Sequence, residues 1–183
     1  MRLPQTHALA LALTPLHLLF ATGAVLWLHP GKDRNFYFFC LMAFGAGFWA
    51  EVWGVNSGIL FGVYSYGAVL GPAMLDTPVL IGVNWLLLTY LFGQALHGLP
   101  QPAWAKAMLM GLLMTGLDAL MEPVAMRLGF WAWPGGVVNG QNYLGWFVCA
   151  TGIGYGYVRL VEGRNPIALW VLVMNVVFFL ALR

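Results

Sequence analysis

The chain has 183 residues, 61% hydrophobic and 8% charged, with eight Lys and Arg against six Asp and Glu; its mean hydropathy is +0.80. An ordinary soluble domain carries roughly 25% charged residues, so water is excluded as the main solvent. The formal charge of +2 is spread too thinly for the basic stripe that a nucleic-acid partner requires.

Met1-Arg2-Leu3-Pro4 leads into an apolar run too long for the core of a signal peptide and without a small-x-small cleavage site, so this run reads as the first helix. A membrane-crossing helix needs about 20 predominantly apolar residues. Runs of that order occupy 8–28, 36–55, 78–97, 103–122, 142–161 and 166–182. Between them lie three short turns: His29-Pro30-Gly31-Lys32-Asp33-Arg34, Gly98-Leu99-Pro100-Gln101-Pro102 and Gly163-Arg164-Asn165-Pro166. The other two connections, 56–77 and 123–141, are longer and rich in Gly and aromatic residues, which is unusual for plain connectors. The expected fold is therefore an all-α integral membrane protein of about six transmembrane helices, with two long loops on one side and a single domain over 1–183. Cys40 and Cys149 fall inside apolar runs without CxxC spacing and read as small core residues.

With six spans, both long loops and both termini share one side, which carries Arg2, Arg127 and Arg183. The short-loop side carries Lys32, Arg34, Lys106, Arg159 and Arg164, so the positive-inside rule puts it in the cytoplasm and the long loops on the other face. The second and fourth runs point the same way, which brings Glu51 and Glu122 into one leaflet. An internal echo accompanies them: Glu51 precedes Tyr64-x-Tyr66 as Glu122 precedes Trp131-x-Trp133. Either this marks a parallel repeat, or an aromatic-rich chain offers such pairs by coincidence.

An ionisable side chain at the centre of a spanning helix costs roughly 2.5–3.5 kcal/mol on insertion scales, which makes it a functional candidate. Glu51, Asp118 and Glu122 qualify, and the last two, four residues apart, lie one turn above the other on a single helix face. Without a partner, a buried carboxyl favours its neutral form, and two acids close together favour it further for one of them. Such a carboxyl can serve as a general acid near neutral pH. The alternative for Glu122 is an inert ion pair with Arg127. Asp76, just before Thr77-Pro78, reads as the N-cap of the third helix.

Aromatic residues concentrate in the acid-bearing half, among them Trp49, Trp53, Phe61, Tyr64, Tyr66, Trp85, Phe130, Trp131, Trp133, Tyr143 and Trp146. Individual Trp residues can be interfacial belt residues, but a ring-lined acid pocket suits a carbocation, since π faces stabilise positive charge. No Asp-rich motif is present to hold magnesium diphosphate, no GxGxxG follows a strand, and no clustered histidines suit iron. No cofactor and no metal are expected. His7, His17, His29 and His97 are scattered and read as packing or interfacial residues, and Gly45, Gly47, Gly152, Gly154 and Gly156 as helix-packing positions.

Two blocks of spaced motifs carry a resemblance. The first is Glu51-x-x-Gly54, Phe61-Gly62-x-Tyr64-x-Tyr66, Gly71-Pro72 and Asn84-Trp85. The second is Asp118-x-x-x-Glu122-Pro123, Gly129-x-Trp131-x-Trp133 and Asn142-Tyr143-x-Gly145-Trp146. From Glu51 to Trp146 the chain resembles the prokaryotic carotenoid-biosynthesis membrane family that includes the cofactor-independent carotenoid 1,2-hydratases of the bisanhydrobacterioruberin-hydratase type. The resemblance implies addition of water to the terminal C=C bond of an acyclic carotenoid, in a prokaryotic cytoplasmic membrane, with a lipophilic polyene and water as the partners. Glu51, Asp118 and Glu122 would be catalytic, with Glu122 or Asp118 as proton donor and Glu51 as a second carboxylate. Trp53, Phe61, Tyr64, Tyr66, Trp85, Trp131, Trp133, Asn142 and Trp146 would bind the substrate. The rival readings are a lycopene-type cyclase, a small proton-coupled carrier and a non-catalytic lipid-binding subunit.

Overall fold

The computed structural model describes residues 4–183, the side chains of 4–7 and 10 excepted; Arg2 and the side chain of His7 therefore lie outside the described residues. Helices α1 (Pro4–Trp27), α2 (Arg34–Ser57), α3 (Leu80–Ala95), α4 (Ala103–Arg127), α5 (Gly140–Leu160) and α6 (Pro166–Leu182) follow the apolar runs closely. Two-residue strands β1 (Ser65–Tyr66), β2 (Ala73–Met74), β3 (Thr77–Pro78) and β4 (Trp131–Ala132) lie in the long connections.

Local chemistry sets most helix boundaries. Asp33 caps α2 by accepting from the Phe36 amide at 2.8 Å, and Gly58, in the left-handed conformation, closes the same helix. Asn139 and Asn165 cap α5 and α6 in the same way, and Pro166 begins α6 where its missing N–H costs nothing. Asp76 does not cap α3. It sits with Leu75 at positive φ, 60° and 52°, in the tight turn joining β2 to β3, and α3 begins two residues beyond Pro78 with no side-chain cap. Helix α4 also departs from expectation, because it runs through Pro123 to Arg127 and shortens the second long connection.

Helices α2 and α4 are each long and apolar enough to cross a membrane by length and composition, while α3, α6 and the Leu11–Trp27 part of α1 are apolar but shorter. Large apolar side chains point outward along the helices, including Phe20, Leu41, Trp170 and Met174. The interior is built around α3, whose Trp85, Leu87, Leu88, Tyr90 and Leu91 are buried.

The two ends of the bundle differ. At the short-loop end a neutral polar network ties four helices together. The Tyr90 hydroxyl lies 2.8 Å from His29 Nδ1 and receives Asn165 Nδ2 at 3.0 Å, which also reaches the Val25 carbonyl at 2.8 Å. Gln94 donates to the Tyr157 hydroxyl at 2.8 Å and accepts from the Asn165 amide at 2.7 Å. At the opposite end the long connections meet: β1 pairs antiparallel with β4, Ser65 opposite Ala132 and Tyr66 opposite Trp131.

Candidate active site

Each glutamate of the internal echo is held by the aromatic pair that follows it in sequence. Glu51, on α2, is 2% exposed. Its Oε2 accepts from the Tyr64 hydroxyl and from the Tyr66 hydroxyl at 2.8 Å, and its Oε1 accepts from Trp85 Nε1 at 2.9 Å. Glu122, on α4, accepts from Trp131 Nε1 at 2.7 Å and Trp133 Nε1 at 3.0 Å, both on Oε2. The alternation along β1 and β4 explains the arrangement. Residues two apart in an extended segment face the same way, so Tyr64 and Tyr66 converge on one carboxylate and Trp131 and Trp133 on the other. Burial, followed by the neighbouring charge of Glu51, holds both Tyr64 and Tyr66 well above the usual phenol range, so these loop phenols stay protonated and act as donors.

Asp118, 1% exposed, lies one turn before Glu122 and is joined to it by a single side chain. Asn142 Nδ2, on the first turn of α5, donates to Asp118 Oδ2 at 2.7 Å and to Glu122 Oε1 at 3.3 Å. The Arg127 pairing considered for Glu122 is not formed. Arg127 instead donates to the carbonyls of Leu182 and Arg183, at the end of α6.

All three acids line one cavity of about 20 Å³, together with Tyr64, Tyr66, Trp131, Trp133, Asn142, Trp146, Ile81 and Asn84. That volume accommodates about one water molecule. Among the described residues, no Lys, Arg or His lines it. Trp146 lines it with Trp85 stacked on its ring at 4.2 Å, and Tyr64 stacks on Trp133 at 4.9 Å, so aromatic rings form much of the wall. A larger cavity of about 300 Å³ opens at the other end of the bundle, lined by His97, Lys106, Tyr157 and Glu162 among others, and Glu51, Asp118 and Glu122 do not reach it.

Three of the expected substrate-binding residues stand outside the cavity lining: Trp85, fully buried, stacks on Trp146 and donates to Glu51, and Trp53 and Phe61 take other places. Trp53 is 56% exposed on the outer face of α2 and points away from the cavity. Its position two residues after Glu51 places it about 200° around the helix, on the opposite face. Phe61 is fully buried behind the site, against Gly54 and Gly145. A Cβ on Gly145 would lie 2.4 Å from the Leu60 carbonyl oxygen and 2.6 Å from the Phe61 ring, so only glycine lets α5 approach the first long connection there. Ile81 and Asn84 were not singled out as site residues. Asn84 was legible as a polar residue within an apolar run, one position before Trp85, whereas Ile81 offered no signal.

A family model described as "Carotenoid biosynthesis protein" matches residues 13–182. No curated protein and no solved structure matches the chain significantly.

Proposed function

The chain belongs to the carotenoid biosynthesis protein family, and from that premise we propose that it is a cofactor-independent hydratase adding water across the terminal C=C bond of an acyclic carotenoid end. The observation that carries this reading is the convergence of Glu51, Asp118 and Glu122 on one ring-walled cavity with room for about one water and, among the described residues, no cationic side chain in its lining. Carboxyls buried without a basic partner are costly, and they are put to use where a proton must be delivered and a developing cation stabilised.

The reaction suits the groups present. A protonated carboxyl, Asp118 or Glu122, gives its proton to the CH carbon of the terminal trisubstituted alkene; the π bond becomes a C–H bond and leaves a tertiary cation at the branched carbon. The rings of Trp146, Tyr64 and Trp133 in the cavity wall and a nearby carboxylate lower the energy of that cation. Water forms the C–O bond, and its surplus proton passes to a carboxylate such as Glu51. The sum is alkene plus water to tertiary alcohol, without redox change. A polyene end is larger than the cavity, so the walls part to admit it from the lipid.

The same reading places the helices across a bilayer, with the short-loop end in the cytoplasm. Its support is the outward display of large apolar side chains together with a mere 39% burial in the apolar window of α2, which suits a lipid-facing helix better than the core helix of a soluble protein.

Expression in a host that accumulates lycopene tests the activity. A new pigment heavier by one water supports hydration. A pigment of unchanged mass with an altered chromophore would identify cyclisation, in which an internal alkene replaces water as the nucleophile, and would overturn the proposal.

A further inference from the structure

We infer that Asp118 is the acid that holds and delivers the proton, while Glu51 and Glu122 are the carboxylates that face the cation; this rests on the hydratase reading for its chemistry, but not for its test. The hydrogen bonds divide the acids unequally. Glu51 receives Tyr64, Tyr66 and Trp85, and Glu122 receives Trp131, Trp133 and Asn142. Among the described residues, Asp118 receives Asn142 alone. An indole N–H and an amide N–H can only donate, so every partner of Glu122 and the Trp85 partner of Glu51 stabilise an ionised oxygen. Three negative charges around one cavity with no cation among the described residues of its lining would be prohibitive, and the proton settles where the fewest donors are lost by neutralising the group.

The echo between the two acid-bearing segments supports the same division. Helix α2, strand β1 and helix α3 follow one another as α4, β4 and α5 do, apart from the β2–β3 hairpin in the first half and a 3-10 turn in the second, and Glu51 and Glu122 are each gripped by the aromatic pair at the following strand. Four residues before Glu122 stands Asp118; four before Glu51 stands Gly47. A Cβ at Gly47 would lie 2.3 Å from the Trp85 Cβ, so the first half fills this position with the ring that serves Glu51. Asp118 is thus the one acid without a counterpart or an aromatic pair of its own.

In the reaction, the Asp118 O–H bond breaks as the alkene C–H bond forms. After water adds to the cation, the surplus proton passes to Glu51 or Glu122 and returns to Asp118 through a cavity water, restoring the starting state.

Infrared spectroscopy of the purified full-length protein, without carotenoid and at neutral pH, tests the assignment in H2O and D2O. The chain has six Asp and Glu side chains, of which three are buried, so the carboxyl region is uncrowded. The expected result is one protonated-carboxyl C=O band that moves in D2O, disappears in Asp118→Asn and is displaced in Asp118→Glu. The glutamate variant decides the matter where the asparagine variant does not fold. Absence of the band from the wild type, or a band unchanged by substitution at 118, would overturn the assignment. Because no substrate is involved, a failure of hydration in the lycopene host leaves this result standing, and the reverse holds as well.

Discussion

The two ends of the bundle each bury a polar cluster, and they do so by opposite means. At the short-loop end the groups are His29, Tyr90, Gln94, Tyr157 and Asn165, and their mutual hydrogen bonds tie α1, α3, α5 and α6 into one body. At the long-loop end three carboxyls face a cavity, surrounded by donors and stacked rings. A satisfied neutral network adds stability and uniqueness at modest cost. A cluster of acids without a cation is costly, and its residues are placed to act on something. On the proposed function, the first set of residues holds the fold and the second carries the chemistry.

Four substitutions or conditions break or sharpen that contrast. Asp118→Asn keeps the side-chain shape and its bond to Asn142, and is expected to lower hydration by about 10³-fold, within the range for loss of a general acid. Pigment time courses at matched protein levels check this, and retention of half the wild-type rate would contradict it. Asn165→Ala, at the opposite end, removes the α6 cap and the bonds to Val25 and Tyr90, and should destabilise the protein by about 2–4 kcal/mol. Its rate per folded molecule should stay within about twofold of wild type, which a thermal melt paired with the pigment assay reads. Trp133→Phe removes one donor from Glu122 while keeping a ring, for an expected loss of about tenfold, equivalent to about 1.4 kcal/mol.

The smallest effect concerns His29, in the turn after α1. Burial holds its imidazole below the ordinary value of about 6.5, so the unfolded chain takes up the proton first as pH falls. Stability attributable to His29 is therefore complete above about pH 6.5 and declines as pH falls from there towards the lower folded value. The decline is read from melting curves along a pH series. His29→Gln should flatten that slope, and an equal slope in the variant would show that other groups produce it.

Much of this arrangement was legible in the sequence because it follows from periodicity and from the cost of burying charge. The apolar runs locate the helices, and Glu51, Asp118 and Glu122 stand out as acids within them. The pairs Tyr64-x-Tyr66 and Trp131-x-Trp133 were visible as an echo, but their closing into a two-residue ladder is a long-range pairing that no local pattern announces. The extension of α4 through Pro123 was hidden, since proline ordinarily signals a break and only its surroundings make the lost hydrogen bond tolerable. Asp76 misled because Asp before Thr-Pro suits an N-cap, whereas a tight turn with Leu75 at positive φ is a strained choice that sequence statistics disfavour. Trp53 misled through proximity in sequence, although helix geometry already placed it opposite Glu51.

The most direct test of the central claim is the mass of the pigment formed when the wild-type chain is expressed in a lycopene-accumulating membrane. The account predicts a product heavier by one water, and no such product from the Asp118→Asn chain at equal abundance. Unaltered lycopene, or an isomer of the same mass, from an abundant and folded wild-type protein would contradict it.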